Sequence, residues 1–394
     1  MPLRALTLMA MLSLAGCVRL GFDSLPSPGG RAGARPSDAT VQGDGHKDAS
    51  RDQRSKADAT GASLPTRPRF AMIVQGQVAS FLELLDFDPA APLATAVSKA
   101  APALRLDTIS GNMARSLTVW DNTLLVGSGA AHAERVGLDP LRSLGPVTFD
   151  SSTTPVLEDR VDNLHGLCTV AGRVIGGEFG GWQAGNAVGA FVAAGASSFR
   201  LGSPLYRTTT TQGGSLSECA GTATNLYLAD YGASDDTAGT VVQLSGADWN
   251  FVVAHRFDPT EFQGATTTPI YSMVLHTNGS LYLFPQRRYG SQLRNLVRCP
   301  AADISAANCV ALGLLPPDAG GGGDVPDGLQ GAVQIPGSDD LLFSTNRELF
   351  HYRLADDRVT RLLDLTLLFD DLLTTGGVRD RVETLRHLVA VPSP

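Results

Sequence analysis

The feature that most restricts how this chain can fold is a motif that recurs along it. A short apolar segment is followed by a turn and a second apolar segment that ends in small or polar residues. The clearest copies are Ser116–Gly127, His165–Gly176, Ser217–Asp230, Tyr271–Phe284 and Gly331–Phe343. The Asn278-Gly279 and Gly337-Ser338-Asp339-Asp340 centres have the residues of hairpin turns, which need positive φ or a side chain that closes on its own backbone. More strand-like sequence follows each copy, such as Gly239–Leu244 and Leu349–Leu354, and the copies are spaced about 50–58 residues apart. A period of that size with several strands per unit predicts a β-propeller, because one small sheet has two apolar faces and buries them only by stacking on its neighbours in a ring. The 43 glycines and 23 prolines suit the many turns that such an all-β domain requires. Five copies are internal. A sixth blade is expected where the C-terminal Val382–Val391 pairs with Phe70–Val74 and Phe81–Leu85, which would hide both terminal edges. The expectation is a single, six-bladed β-propeller over residues 67–394.

Within these repeats, Leu226-Tyr227-Leu228-Ala229-Asp230-Tyr231-Gly232 resembles the second strand and following turn of blades in the NHL-repeat and gluconolactonase-like propellers. That resemblance implies binding at one mouth of the central channel, by residues at the start of each inner strand. Aligning the copies on their second strands places Arg115, His165, Glu218, Ser272 and Gln330 near that ring, with Glu383 as a further candidate. Such polar positions either line a ligand funnel or cap a solvated channel. The gluconolactonase-like enzymes hold a divalent metal there with a Glu, an Asn and an Asp. The resemblance would give the acid to Glu218, assisted by Asn163 or Asp230, but no motif fixes these residues, so no metal ligand is assigned and no cofactor is predicted.

Ahead of the repeats lies a different kind of sequence. A basic start at Arg4 precedes an apolar run from Ala5 to Ala15, too short to span a bilayer, and then Gly16 and Cys17. The order of charge, apolar run, small residues and cysteine in Leu14-Ala15-Gly16-Cys17 resembles the lipobox of bacterial lipoproteins. The resemblance implies a signal peptide over 1–16 and lipidation of Cys17. Acyl chains, at about 0.8 kcal/mol per buried methylene, would then hold the protein on a membrane. Val18 after the cysteine implies sorting to the outer membrane. Between Pro26 and Ser63 the only large aliphatic residue is Val41 and there is no aromatic residue, so residues 17–66 are expected to form a disordered tether. His46, within it, has no histidine neighbour and is read as solvated.

Beyond Cys17 there are four cysteines, which allow three connectivities. Cys299 and Cys309 bracket a short loop and are the favoured pair. Cys168 and Cys219 fall near equivalent positions in consecutive blades and are either bridged or buried as thiols. No Gly-x-Ser-x-Gly elbow, His-Glu-x-x-His pair or phosphate-binding glycine loop occurs. The acid pairs Asp86/Asp88, Asp235/Asp236, Asp339/Asp340 and Asp370/Asp371 are read as turn formers. The run Asp318–Asp327 has carboxylates for Ca²⁺ but not the alternating spacing of an EF-hand, and reads as a surface loop. The apolar stretch Leu362–Leu373 is read as an outer strand and rim helix. A net charge of −8 argues against nucleic acid as a partner. The favoured function is a membrane-anchored envelope protein whose propeller binds an envelope protein, a glycan or another ligand without catalysing a reaction. The alternative is a metal-dependent envelope hydrolase or lyase that uses a divalent cation.

Overall fold

The computed structural model describes residues 67–110, 113–130, 132–152, 161, 164–178, 187–207, 216–230, 240–258, 270–285, 296–312, 329–345, 347–364, 374–375, 378–379 and 382–392. Cys17, His46, Asn163, Asp235, Asp236, the run Asp318–Asp327 and the Leu365–Leu373 part of the apolar stretch lie outside them.

Among the described residues the chain is all-β, in successive antiparallel meanders. The first is β1 (Arg69–Gly76), β2 (Ser80–Phe87), β3 (Val97–Lys99) and β4 (Leu104–Arg105), the last two both pairing with β2. The second is β5 (Ser116–Trp120), β6 (Thr123–Ala130), β7 (His132–Leu138) and β8 (Leu141–Asp150). The third is β9 (Leu164–Val170), β10 (Arg173–Glu178), β11 (Ala187–Gly195) and β12 (Ser198–Arg207). Then come β13 (Leu216–Gly221), β14 (Asn225–Asp230), β15 (Thr240–Ala247) and β16 (Asn250–Phe257), followed by β17 (Ile270–Leu275), β18 (Ser280–Pro285), β19 (Val297–Pro300) and β20 (Val310–Ala311). The last meander is β21 (Leu329–Gln334), β22 (Leu341–Thr345), β23 (Glu348–Arg353) and β24 (Arg358–Asp364), after which β25 (Thr374–Thr375) and β26 (Val378–Arg379) form a small hairpin. The C-terminal β27 (Val382–Val391) returns to pair antiparallel with β1, so both ends of the domain share one sheet.

The inner strands β27, β5, β9, β13, β17 and β21 each pack against the next, and β21 packs against β27, which closes the ring of a β-propeller. Strand alternation explains how each sheet serves two neighbours. Phe70, Met72 and Val74 of β1 join a cluster with Ile335, Leu342 and Leu349 of the last meander, whereas Ala71 and Ile73 join Leu117, Leu124 and Val126 of the second. The other apolar clusters fill the remaining gaps between successive sheets in the same way. Seams between inner strands are closed by small polar side chains. Ser217 Oγ donates to the Ile270 carbonyl at 2.9 Å, and Thr118 Oγ1 donates to Thr169 Oγ1 at 3.1 Å. At the expected Asn-Gly turn, Gly279 has φ +80, a conformation that costs glycine little.

One departure from separate radial sheets is a parallel pairing of β8 with β12, which fuses the second and third meanders into one eight-stranded sheet. Phe149 stacks on Phe199 at 4.9 Å, and Trp120 meets Phe199 edge-on at 4.7 Å. Two outer edges thereby cover each other. Both cysteine pairs are disulfide-bonded, Cys168–Cys219 across the seam between β9 and β13 and Cys299–Cys309 within the fifth meander. Of the acid pairs, Asp86 binds Arg69 at 2.7 Å, and Asp340 accepts the Leu354 amide at 3.2 Å while pairing with His351 at 2.9 Å.

Glu83 in β2 is fully buried, neither carboxylate oxygen has a hydrogen-bond partner among the described residues, and the Lys99 ammonium stands 3.9 Å away. Burial pushes its carboxyl up to about 7, with Lys99 pulling the other way. The folded protein then holds a proton between pH about 4.5 and 7 that the unfolded chain has released, so stability falls as pH rises through that window. We expect Glu83→Gln to stabilise the protein by about 2–3 kcal/mol at pH 8 and to change little below pH 4.5. Thermal unfolding of both proteins across this range is the measurement; parallel curves would refute the assignment.

Candidate binding site at the propeller hub

Residues of several inner strands meet at one centre: Arg115 just before β5, His165 of β9, Glu218 of β13, Tyr271 of β17, and Arg386 and His387 of β27. Gln330 of β21 precedes Gly331, which packs on the His387 backbone. His387 Nδ1 lies 3.5 Å from Glu218 Oε2, and the His387 and Tyr271 rings are 5.6 Å apart. The Arg386 guanidinium is oriented by Gln75, whose Oε1 accepts from Nε at 2.5 Å, and by the Tyr271 hydroxyl, which accepts from one terminal nitrogen. Gln75 also donates to the Ala114 carbonyl at 2.6 Å, tying β1 to the segment that carries Arg115.

His387 reaches this centre through a local irregularity. In the β1–β27 ladder Met72 faces Leu388 and Ile73 faces Arg386, so His387 is an extra residue with no partner across the ladder. Its φ of +48 is left-handed, a conformation uncommon outside glycine. A bulge of this kind re-aims a side chain at a cost to the strand.

His165 Nδ1 meets the Leu216 carbonyl at 3.4 Å. Its imidazole is held down to about 3, first by burial and then by the Arg115 charge, with Arg386 and His387 adding to the effect and the Leu216 carbonyl opposing it. His165 is therefore neutral at ordinary pH in a region of positive potential. His387 Nε2 here and Gln330 Oε1 on β21 lack a hydrogen-bond partner among the described residues, on side chains only 2% and 3% exposed. Buried polar groups are rarely left so unless something else satisfies them.

Of the residues expected from sequence, the hub brings together Arg115, His165 and Glu218, and Gln330 stands beside Gly331, which packs on His387. Ser272 serves the seam instead, where its Oγ accepts the Ala332 amide at 3.1 Å. Its neighbour Tyr271 takes the hub position, a shift of one residue that reverses the side chain's direction on a strand. Glu383 and Asp230 lie on β27 and β14. Gln75, Tyr271, Arg386 and His387 were missed. The closing strand β27 was identified by its apolar alternation, but the bulge that turns His387 inward leaves no mark on that pattern.

Among the described side chains Glu218 is the carboxylate beside His387, and the charges of Arg115 and Arg386 both act on this region. Among the described residues no three His, Cys, Asp or Glu side chains converge as metal ligands.

No family model and no curated protein matches the chain in sequence. Among solved structures, the Pseudomonas aeruginosa periplasmic gluconolactonase PpgL is similar with a TM-score of 0.51 at 12% identity, over 83% of this chain and 100% of that one. The WD40 β-propeller domain of Doa1 has a TM-score of 0.40 at 12% identity, over 76% of this chain and 79% of that one. At this identity the likeness to PpgL is one of fold.

Proposed function

We propose that this chain is a lipid-anchored protein of the bacterial envelope whose six-bladed propeller binds a ligand at the hub mouth without catalysing a reaction. The observation that carries the binding role is the convergence of Arg115, His165, Glu218 and Tyr271 with Arg386 and His387 of β27, where His387 Nε2 is buried with no hydrogen-bond partner among the described residues. A solvated channel has no need to bury such groups, because water satisfies them more cheaply. Anchoring through Cys17 and outer-membrane sorting rest on the lipobox-like sequence Leu14–Cys17 and on Val18. Envelope location is in keeping with two disulfides and with a fold shared by a protein described as periplasmic.

Thermal-shift screening of the purified domain against a broad small-molecule and glycan panel tests the binding role. We expect a saturable shift of several degrees that is lost in Glu218→Ala/Gln330→Ala. No shift across the panel would leave a structural spacer. A stoichiometric divalent ion lost on Glu218→Ala would instead mark a metal-dependent hydrolase. The mass of the native N-terminus checks the anchor separately, since an unmodified Met1 would exclude it.

A further inference from the structure

We infer that β16 pairs edge to edge with β16 of a second copy of this chain, antiparallel about a two-fold axis at Val252. The inference is independent of what the hub binds. An outer strand presents a row of backbone donors and acceptors, and natural sheets blunt such edges by shortening, charging or covering them. Most outer edges of this ring are blunted. On the first meander β3 and β4 are 3 and 2 residues long, and on the fifth β20 has 2 residues. The edges of β8 and β12 cover each other, and β24 carries Arg358, Arg361 and Asp364. The exception is β16. It ends its sheet, runs for 8 residues and has no charged side chain from Asn250 to Ala254, yet Val252 is 70% and Val253 42% exposed. Among the described residues no strand pairs with its outer side.

The hairpin before β16 sets the register. Asp248 and Trp249 have positive φ, at 53 and 64, and turn the chain between Ala247 and Asn250, which makes that pair a hydrogen-bonded one. Hydrogen-bonded and open pairs then alternate, so Phe251, opposite Gly246, turns its amide and carbonyl away from β15. Gly246 agrees, because its own amide donates to the Thr224 carbonyl, on the β14 side, at 3.0 Å. Val253, opposite Leu244, turns outward likewise, before the bulge at Ala254 interrupts the ladder. In a two-fold pairing at Val252, Phe251 meets Val253 of the second copy and Val253 meets its Phe251, which gives about four backbone hydrogen bonds. The two Val252 side chains then face each other in the close, open pair, and Phe251 covers Val253 across the seam. Charge selects the antiparallel direction. Asp248 is exposed at one end of the strand, and at the other the exposed Arg256 guanidinium donates to the neutral Tyr206 hydroxyl at 3.1 Å. An antiparallel copy brings Arg256 towards Asp248 of its mate, whereas a parallel copy sets like charges together.

The contact involves about five residues a side, far below the roughly 20–30 of a standard interface, so the association is weak. Sedimentation equilibrium of the whole protein is expected to show monomer and dimer with a dissociation constant of about 10–100 μM. Val253→Pro removes an amide that the monomer does not use, and proline suits an edge strand, so the fold should melt as before while dimerisation weakens at least about tenfold. Val252→Lys, which sets two ammonium groups face to face on the axis, should weaken it similarly and decides the point if Val253→Pro fails to fold. Amide hydrogen exchange needs no variant. The Phe251 and Val253 amides should become protected as protein concentration rises, whereas the Val252 amide, already bonded within the β15–β16 ladder, should not change. A monomer at every concentration up to about 1 mM would overturn the inference and leave this edge to an extended segment of another protein. A dimer that persists in both variants, or that forms without protecting Phe251 and Val253, would overturn it in favour of a different face.

Discussion

Replacing Gly331 with valine is expected to destabilise the protein by about 3 kcal/mol, the upper range for forcing atoms into a packed interior. Gly331 sits in β21 where the last meander meets the closing strand β27. A Cβ at this position would lie 2.6 Å from the Leu388 amide nitrogen, 2.7 Å from the His387 carbonyl carbon and 2.8 Å from the His387 Cα. All three atoms are backbone, so no side-chain rotation relieves the clash, and β27 is fixed on its other side by its ladder with β1. The only remaining response is for the ring to open along the β21–β27 seam. Gly137→Ala in β7 is the comparison, since its Cβ would meet only Leu144 side-chain carbons at 3.7 Å. It should be neutral or slightly stabilising, because alanine restricts the unfolded chain. Urea unfolding of both variants decides the point, and equal midpoints would mean that the seam is not closed as described. Because the clash falls on His387 itself, Gly331→Val should also lose hub binding in whatever fraction still folds.

The seam that makes Gly331 sensitive also shows what could be read from sequence. The repeat of apolar segments and turns was enough to predict an all-β propeller and the pairing of Val382–Val391 with the N-terminal strands, since alternation and spacing are properties of sequence. The Asn278-Gly279 turn was legible for the same reason. The pairing of β8 with β12 was not, because it depends on Phe149 and Phe199 meeting across two meanders, and nothing local encodes that contact. Aligning the repeats points to Arg115, His165 and Glu218, which the fold brings close together, whereas Ser272 is displaced from Tyr271 by one position. On a strand that single step exchanges the channel for the seam. Arg386 and His387 escaped because the bulge at His387 breaks the alternation that sequence reading relies on.

Removing the Cys168–Cys219 bridge by a double alanine substitution should cost about 4 kcal/mol, against about 3 kcal/mol for removing Cys299–Cys309. The difference follows from loop length, because the bridges span sequence separations of 51 and 10 residues and the longer loop restrains the unfolded chain more. Position adds to the contrast. Cys168 and Cys219 join β9 to β13 across an inter-sheet seam, whereas Cys299 and Cys309 staple a turn inside one meander. Loss of the first bridge therefore frees two meanders to part, and loss of the second leaves every seam intact. The two bridges lie in different apolar clusters, so the quadruple variant should lose the sum of the two effects. Denaturant unfolding of the three variants measures this, and a larger cost for the Cys299–Cys309 pair would show that seam closure does not limit stability. A protein that draws so much stability from oxidised cysteines is poorly suited to a reducing compartment. Expression with and without export should accordingly separate a soluble oxidised form from a reduced form that melts at much lower denaturant.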